Sequence, residues 1–113
     1  LIIFSECKEG MGSNDFLRSQ TRLLKDGKQK FITDILKKKY ADVDEWQTEK
    51  EIEALNKANI YLYSKGISKK EEKLAAIKLT NDPISTIEDS IKKHNNSNIA
   101  IIPEGPYVVP TLN

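Results

Sequence analysis

Four apolar residues open the chain without a polar break, Leu1-Ile2-Ile3-Phe4. An unbroken run of this kind reads as a strand buried on both faces, as in a parallel sheet covered by helices. Small and acidic residues follow, then the loop Gly10-Met11-Gly12, then helical spacing. Ser13 is placed to cap a helix carrying Asp15 in its first turn, with Phe16, Leu17, Gln20 and Leu24 along one side. Asp26-Gly27 interrupts it, and Phe31, Ile32, Ile35 and Leu36 make the apolar stripe of a second helix. After a connection over Tyr40 to Val43, Asp44 with Gln47 three residues on has the form of a capping box opening a helix over 45–57.

Asn59 to Ser64 alternates aromatic and branched residues and predicts a second strand, closed by Gly66. Ser68-Lys69-Lys70-Glu71 is another capping box, heading a short helix to about Ala75. Ile77 to Thr80 suits a brief edge strand. Asp82-Pro83 turns the chain into a helix capped around Ser85, with Ile84, Ile87 and Ile91 on its inner side. His94 to Asn98 is a turn cluster, and Ile99 to Ile102 predicts a third firm strand bounded by Pro103. The proline-punctuated tail from Pro103 to Pro110 reads as an extended edge segment.

Strands alternating with helices predict an α/β fold, with a small parallel or mixed sheet of three to five strands. About fifty residues and three helices separate the first two strands, where one crossover helix suffices. This three-helix insertion is expected to lie across a sheet edge or over a neighbouring domain.

Length and composition narrow the function more than the fold. The chain has 113 residues, 38% hydrophobic and 31% charged, which fits one soluble domain over 1–113. Lysine plus arginine (18) nearly cancels aspartate plus glutamate (17), so steering of nucleic acid by net charge is not supported. No apolar run is long enough to span a membrane. Cys7 is the single cysteine, which excludes an internal disulfide and favours a reducing, cytoplasmic setting. The chain opens in mid-strand without a methionine, and further residues are expected upstream.

The candidate chemistry is sparse. Gly10-Met11-Gly12 before a helix invites phosphate binding by backbone amides, but Asp15 stands where the dinucleotide fingerprint needs a third glycine. A tight strand-to-helix turn is the stronger reading of the loop. Glu6 and Glu9 form a carboxylate pair for acid/base work or are solvated loop residues. Cys7 has no histidine nearby in sequence, and the only histidine, His94, sits in an asparagine-rich turn. No metal-ligand spacing occurs. Trp46 is more informative. It lies about 120° from Ile52 and about 180° from Leu55 around its helix, away from the apolar stripe. It is either an interface or ligand-contacting residue, or it packs on the preceding helix near Tyr40.

Three segments together resemble the C-terminal domain of the nickel-pincer-dependent lactate racemase family. They are Ile2 to Gly12, an apolar strand followed by Glu-Cys and a Gly-x-Gly turn; Asp44-Glu45-Trp46-Gln47 with its helix and the strand Ile60 to Ser64; and the helix Ser85 to Lys93 leading to Ile99-Ala100-Ile101-Ile102-Pro103-Glu104-Gly105. The resemblance implies the C-terminal part of a larger two-domain 2-hydroxy-acid racemase or epimerase, with this chain as one wall of an interdomain cleft. Its nickel-pincer cofactor, catalytic histidines and tethering lysine belong to an N-terminal domain absent from this sequence, so the chain alone is expected to be inactive. Only Trp46 matches a family active-site position, one that packs on the substrate. No catalytic, cofactor or metal residue is expected within 1–113. The alternative is a stand-alone ligand-binding or regulatory α/β module, with the Gly10-Met11-Gly12 loop as its natural pocket.

Overall fold

The computed structural model describes residues 1–109 and 111. Its elements are β1 (Ile2–Phe4), α1 (Asn14–Asp26), α2 (Lys28–Leu36), α3 (Glu45–Lys57), β2 (Tyr61–Tyr63), α4 (Lys69–Glu72), β3 (Lys78–Leu79), α5 (Pro83–His94) and a 3-10 turn over Gly105–Tyr107. The strands form one parallel sheet in the order β1-β2-β3, so the fold is α/β with three helices inserted between the first two strands. Among the described residues no helix is long and apolar enough to cross a membrane.

The chain divides into two compact units, Leu1–Pro83 and Ile84–Asn113. In the first, the register pairs Ile3 with Leu62 and Leu62 with Leu79, which puts these three on one sheet face. Ile2, Phe4, Tyr61, Tyr63 and Lys78 share the other, where the Phe4 and Tyr63 rings lie 5.7 Å apart. The middle strand is the buried one, with Ile60 and Leu62 under cover. β1 is an edge strand whose Phe4 is 63% exposed, contrary to the expectation of burial on both faces. An apolar run records affinity for cover but not which neighbour supplies it.

The tightest core lies among the inserted helices, where Leu23, Phe31 and Ile52 meet and Ile32, Ile35 and Ala76 pack around them. Leu23 fills the position expected of Leu24, one step round α1. Leu36, at the end of the α2 stripe, is exposed. Two polar devices reinforce this core. Arg22 stacks its guanidinium 4.4 Å from the centre of the Phe31 ring and pairs with Glu45. Gln20, fully buried, donates to Thr48 and Glu51 on α3 and accepts from the Ala76 N–H at 3.1 Å. That last bond ties the helical insertion to the segment entering β3.

Local capping chemistry explains most helix starts. Ser13 accepts from the Phe16 N–H at 3.0 Å, and Ser68 with Glu71 forms a complete capping box. α4 ends at Glu72, earlier than the sequence suggests. Asp44 is different: it sits at φ 64 and makes no side-chain cap. Its carboxylate instead accepts from the Ser13 hydroxyl and from Gln47 Nε2 at 2.9 Å.

The helix α5, which makes up the start of the second unit from Ile84 on, begins at Pro83, two residues ahead of the expected Ser85 cap, which suits proline in a first helical turn. Basic residues Lys92, Lys93 and His94 occupy its last turn, and Asn95 closes it in the left-handed region at φ 47. Ile99 to Ile102 is not a strand: it joins no ladder among the described residues, and Ile101 is 86% exposed. A parallel strand exists only where an open sheet edge accepts it, which four local residues do not encode. The tail makes a 3-10 turn rather than an extended segment, and its last proline, Pro110, lies outside the described residues.

Candidate functional site

The site is built around the first turn of α3. Trp46 is 62% exposed there, and it forms no ring pair with Tyr40, itself on the surface, among the described residues. The exposure suits the interface or ligand-contacting reading, and the Tyr40 ring is not what covers the rest of the indole. Phase explains why: Glu45, Thr48 and Ile52 take the inward side of α3, and the indole, one step on from Glu45, is left outside.

Beneath Trp46 the backbone is fixed by charge. Glu45 is 2% exposed. It pairs with Arg22 of α1 and with Lys38 at 2.7 Å, and accepts from the Asp42 N–H at 2.8 Å. Burial pushes its carboxyl up, but Lys38, the Asp42 N–H and Arg22 outweigh this and hold it below its ordinary value. The three contacts anchor the start of α3 to α1 and to the end of α2, so the indole stands on a rigid base.

This base gives a pH-dependent test. A carboxyl whose folded-state value is depressed stabilises the fold fully above its unfolded value and loses that contribution as the pH falls through the folded one. Glu45→Gln is expected to cost about 2 kcal/mol at neutral pH. That is less than the ~3–5 kcal/mol of fully buried pairs, because Arg22 and Lys38 are partly exposed and rehydrate. The difference from wild type should shrink as the pH falls below the ordinary carboxylate range and through the depressed folded-state value, where the wild-type carboxyl takes up a proton too. Urea unfolding of both proteins at neutral pH and across a descending acid series measures it.

The Gly10-Met11-Gly12 loop adjoins this turn through the Ser13–Asp44 hydrogen bond. Gly10 and Gly12 have φ of 62° and 88°, the left-handed region that favours glycine. The loop is stitched to α4 by the Met11 N–H donating to Glu71 at 3.1 Å. A carboxylate therefore occupies an amide that a bound phosphate would need. The turn reading of the loop fits these contacts, and the phosphate reading does not.

The other candidates scatter. Glu6 pairs with Lys8 on the surface and Glu9 is exposed. Cys7 is half-buried at φ 46. His94 is exposed at the end of α5, in the second unit. Among the described residues no three His, Cys, Asp or Glu side chains converge to hold a metal ion. The structure thus brings together two segments, the glycine loop and the Asp44–Trp46 turn, and adds Glu45, which composition did not single out. Counting back from Ile52 would have found it: seven residues return Glu45 to within about 20° of the buried stripe.

No protein-family model matches the chain, and neither a curated protein nor a solved structure matches it.

Proposed function

We propose that the chain is the C-terminal domain of a cytoplasmic 2-hydroxy-acid racemase or epimerase of the nickel-pincer type, forming one wall of an interdomain cleft. The observation that carries this reading is Trp46, an exposed indole on a rigid helix start, joined through Asp44 and Ser13 to the glycine loop. Two of the three resembling segments are neighbours in space by that bond. An indole face on the cleft wall would exclude water and narrow the poses open to a small, flat keto acid. It would neither move a proton nor carry a hydride, so Trp46 acts as a substrate-positioning residue.

On this reading the nickel-pincer group and its ligands belong to the N-terminal partner domain. No cluster of metal-ligand side chains occurs among the described residues, and the single cysteine and single histidine lie in different units. No step through the cofactor is assigned to this chain, and the proposal leaves its binding to an N-terminal partner domain.

The test is made in the full-length protein. Trp46→Ala is expected to lower kcat/KM for a 2-hydroxy acid about tenfold or more, with nickel content unchanged. Stability should stay within about 0.5 kcal/mol, since the side chain is exposed. Unchanged kinetics would remove Trp46 from the site. A full-length protein that racemises no 2-hydroxy acid when loaded with cofactor would sink the reading as a whole.

A further inference from the structure

Behind the glycine loop, within the Leu1–Pro83 unit, lies a cavity of about 200 Å³. Its walls include Met11 and Ile67, from the loops that follow β1 and β2, Phe16 of α1, and Leu62 and Leu79 of the sheet. It thus sits under the helices at the carboxyl ends of the first two strands, where open α/β sheets bind their ligands. A cavity of about 150 Å³ with apolar walls is known to hold benzene, so this one has room for a compact ring. Apart from the Cys7 thiol, the one polar side chain in the wall is Glu51. Its Oε2 accepts from Gln20, and among the described residues Oε1 has no hydrogen-bond donor. A shallower depression over Asn14, Leu17, Arg18 and Thr21 is larger, about 430 Å³, but it lies open along one helix and encloses nothing.

We propose that this cavity binds a small primary amine whose compact apolar body fills the walls and whose ammonium group pairs with Glu51. An apolar chamber with a single carboxylate selects for that combination. The apolar body is desolvated by the walls, and a cation is the partner that favours a half-buried carboxylate. Burial pushes the Glu51 carboxyl up against the opposing Gln20 amide, as suits a carboxylate whose cation is not part of the chain. Closure of the chamber depends on the loop contacts already described, in which Glu71 holds the Met11 N–H. The proposal does not rest on the racemase reading and is tested without it.

The probe is benzylamine, titrated into the 113-residue chain and followed through methyl resonances by NMR. The Met11, Leu62 and Leu79 methyl groups should shift saturably, with a Kd on the order of 1 mM. Benzyl alcohol, the same size without the charge, should bind at least about tenfold more weakly. Glu51→Gln should remove that preference while leaving the spectrum folded, and Ala75→Leu, which fills the chamber, should abolish the shifts for both probes. No methyl shift by ~10 mM benzylamine would overturn the site. Equal binding of amine and alcohol to the wild-type chain would overturn the ligand class, and so would a preference that survives Glu51→Gln. The wild-type comparison of the two probes needs no variant to fold.

Discussion

Phe31→Ala is expected to lower the stability of the Leu1–Pro83 unit by about 3–5 kcal/mol, a large share of the ~5–15 kcal/mol typical of a domain. Phe31 is 0% exposed and is the hub between α1, α2 and α3. Truncation opens a cavity against Leu23 and Ile52, and the small cluster has little else with which to close it. It also removes the ring on which Arg22 rests. One terminal nitrogen of Arg22, Nη2, already lies buried without a hydrogen bond among the described residues, so the ring face is what compensates it. Phe31→Leu should lose much less, because it refills most of the volume. Denaturant unfolding followed by circular dichroism measures both. A Phe31→Ala protein within ~0.5 kcal/mol of wild type would show that the helical core is not where the stability lies.

Gly66→Ala should be the second most damaging change, by about 3 kcal/mol. The cause is not the glycine's own conformation. A Cβ at this position would overlap the backbone carbonyl oxygens of Glu6 and Cys7 and lie 2.7 Å from the Cys7 carbonyl carbon. Backbone atoms cannot swing aside as a side chain can. The loops after β1 and β2 would have to part, breaking the bond from the Ser64 hydroxyl to the Glu6 carbonyl. Gly12→Ala makes a clean comparison. Gly12 has a positive φ but open space around it, so only the conformational penalty applies, about 1–2 kcal/mol. Unfolding midpoints of the two variants, with the rate of Cys7 alkylation as a report on loop separation, distinguish the causes. Equal losses in both would contradict the close-approach argument.

What could be read from the sequence follows from what is local. The caps at Ser13 and Ser68 were legible because a hydroxyl three residues before an amide makes its bond with no outside help. The outward phase of Trp46 was legible because helical geometry alone fixes it. Asp44 looked like the same kind of cap and is not, because its partner Ser13 is 31 positions away. The polar set of Gln20, Thr48 and Glu51 was invisible for a related reason. Each looks like the flank of an apolar stripe until the helices are brought face to face. Leu23 and Leu24 differ by one step in phase, and only the positions of α2 and α3 decide which is buried. The run from Ile99 to Ile102 satisfied every local criterion for a strand and lacked a ladder to join.

The long insertion also sets an order of assembly. Contacts among α1, α2 and α3 close short loops, whereas the bond between Ser64 and Glu6 spans 58 positions. Loop closure costs more entropy as the span grows, and contacts distant in sequence form late in folding. The three helices can therefore settle while the sheet is still open, with β2 waiting for β1 to arrive. By the same logic, β1 is the piece that closes last. It is three residues long and, among the described residues, paired with β2 alone, and its far end is held where Gly66 meets the Glu6 and Cys7 carbonyls. The chain's first strand is a clasp on a body that has already formed.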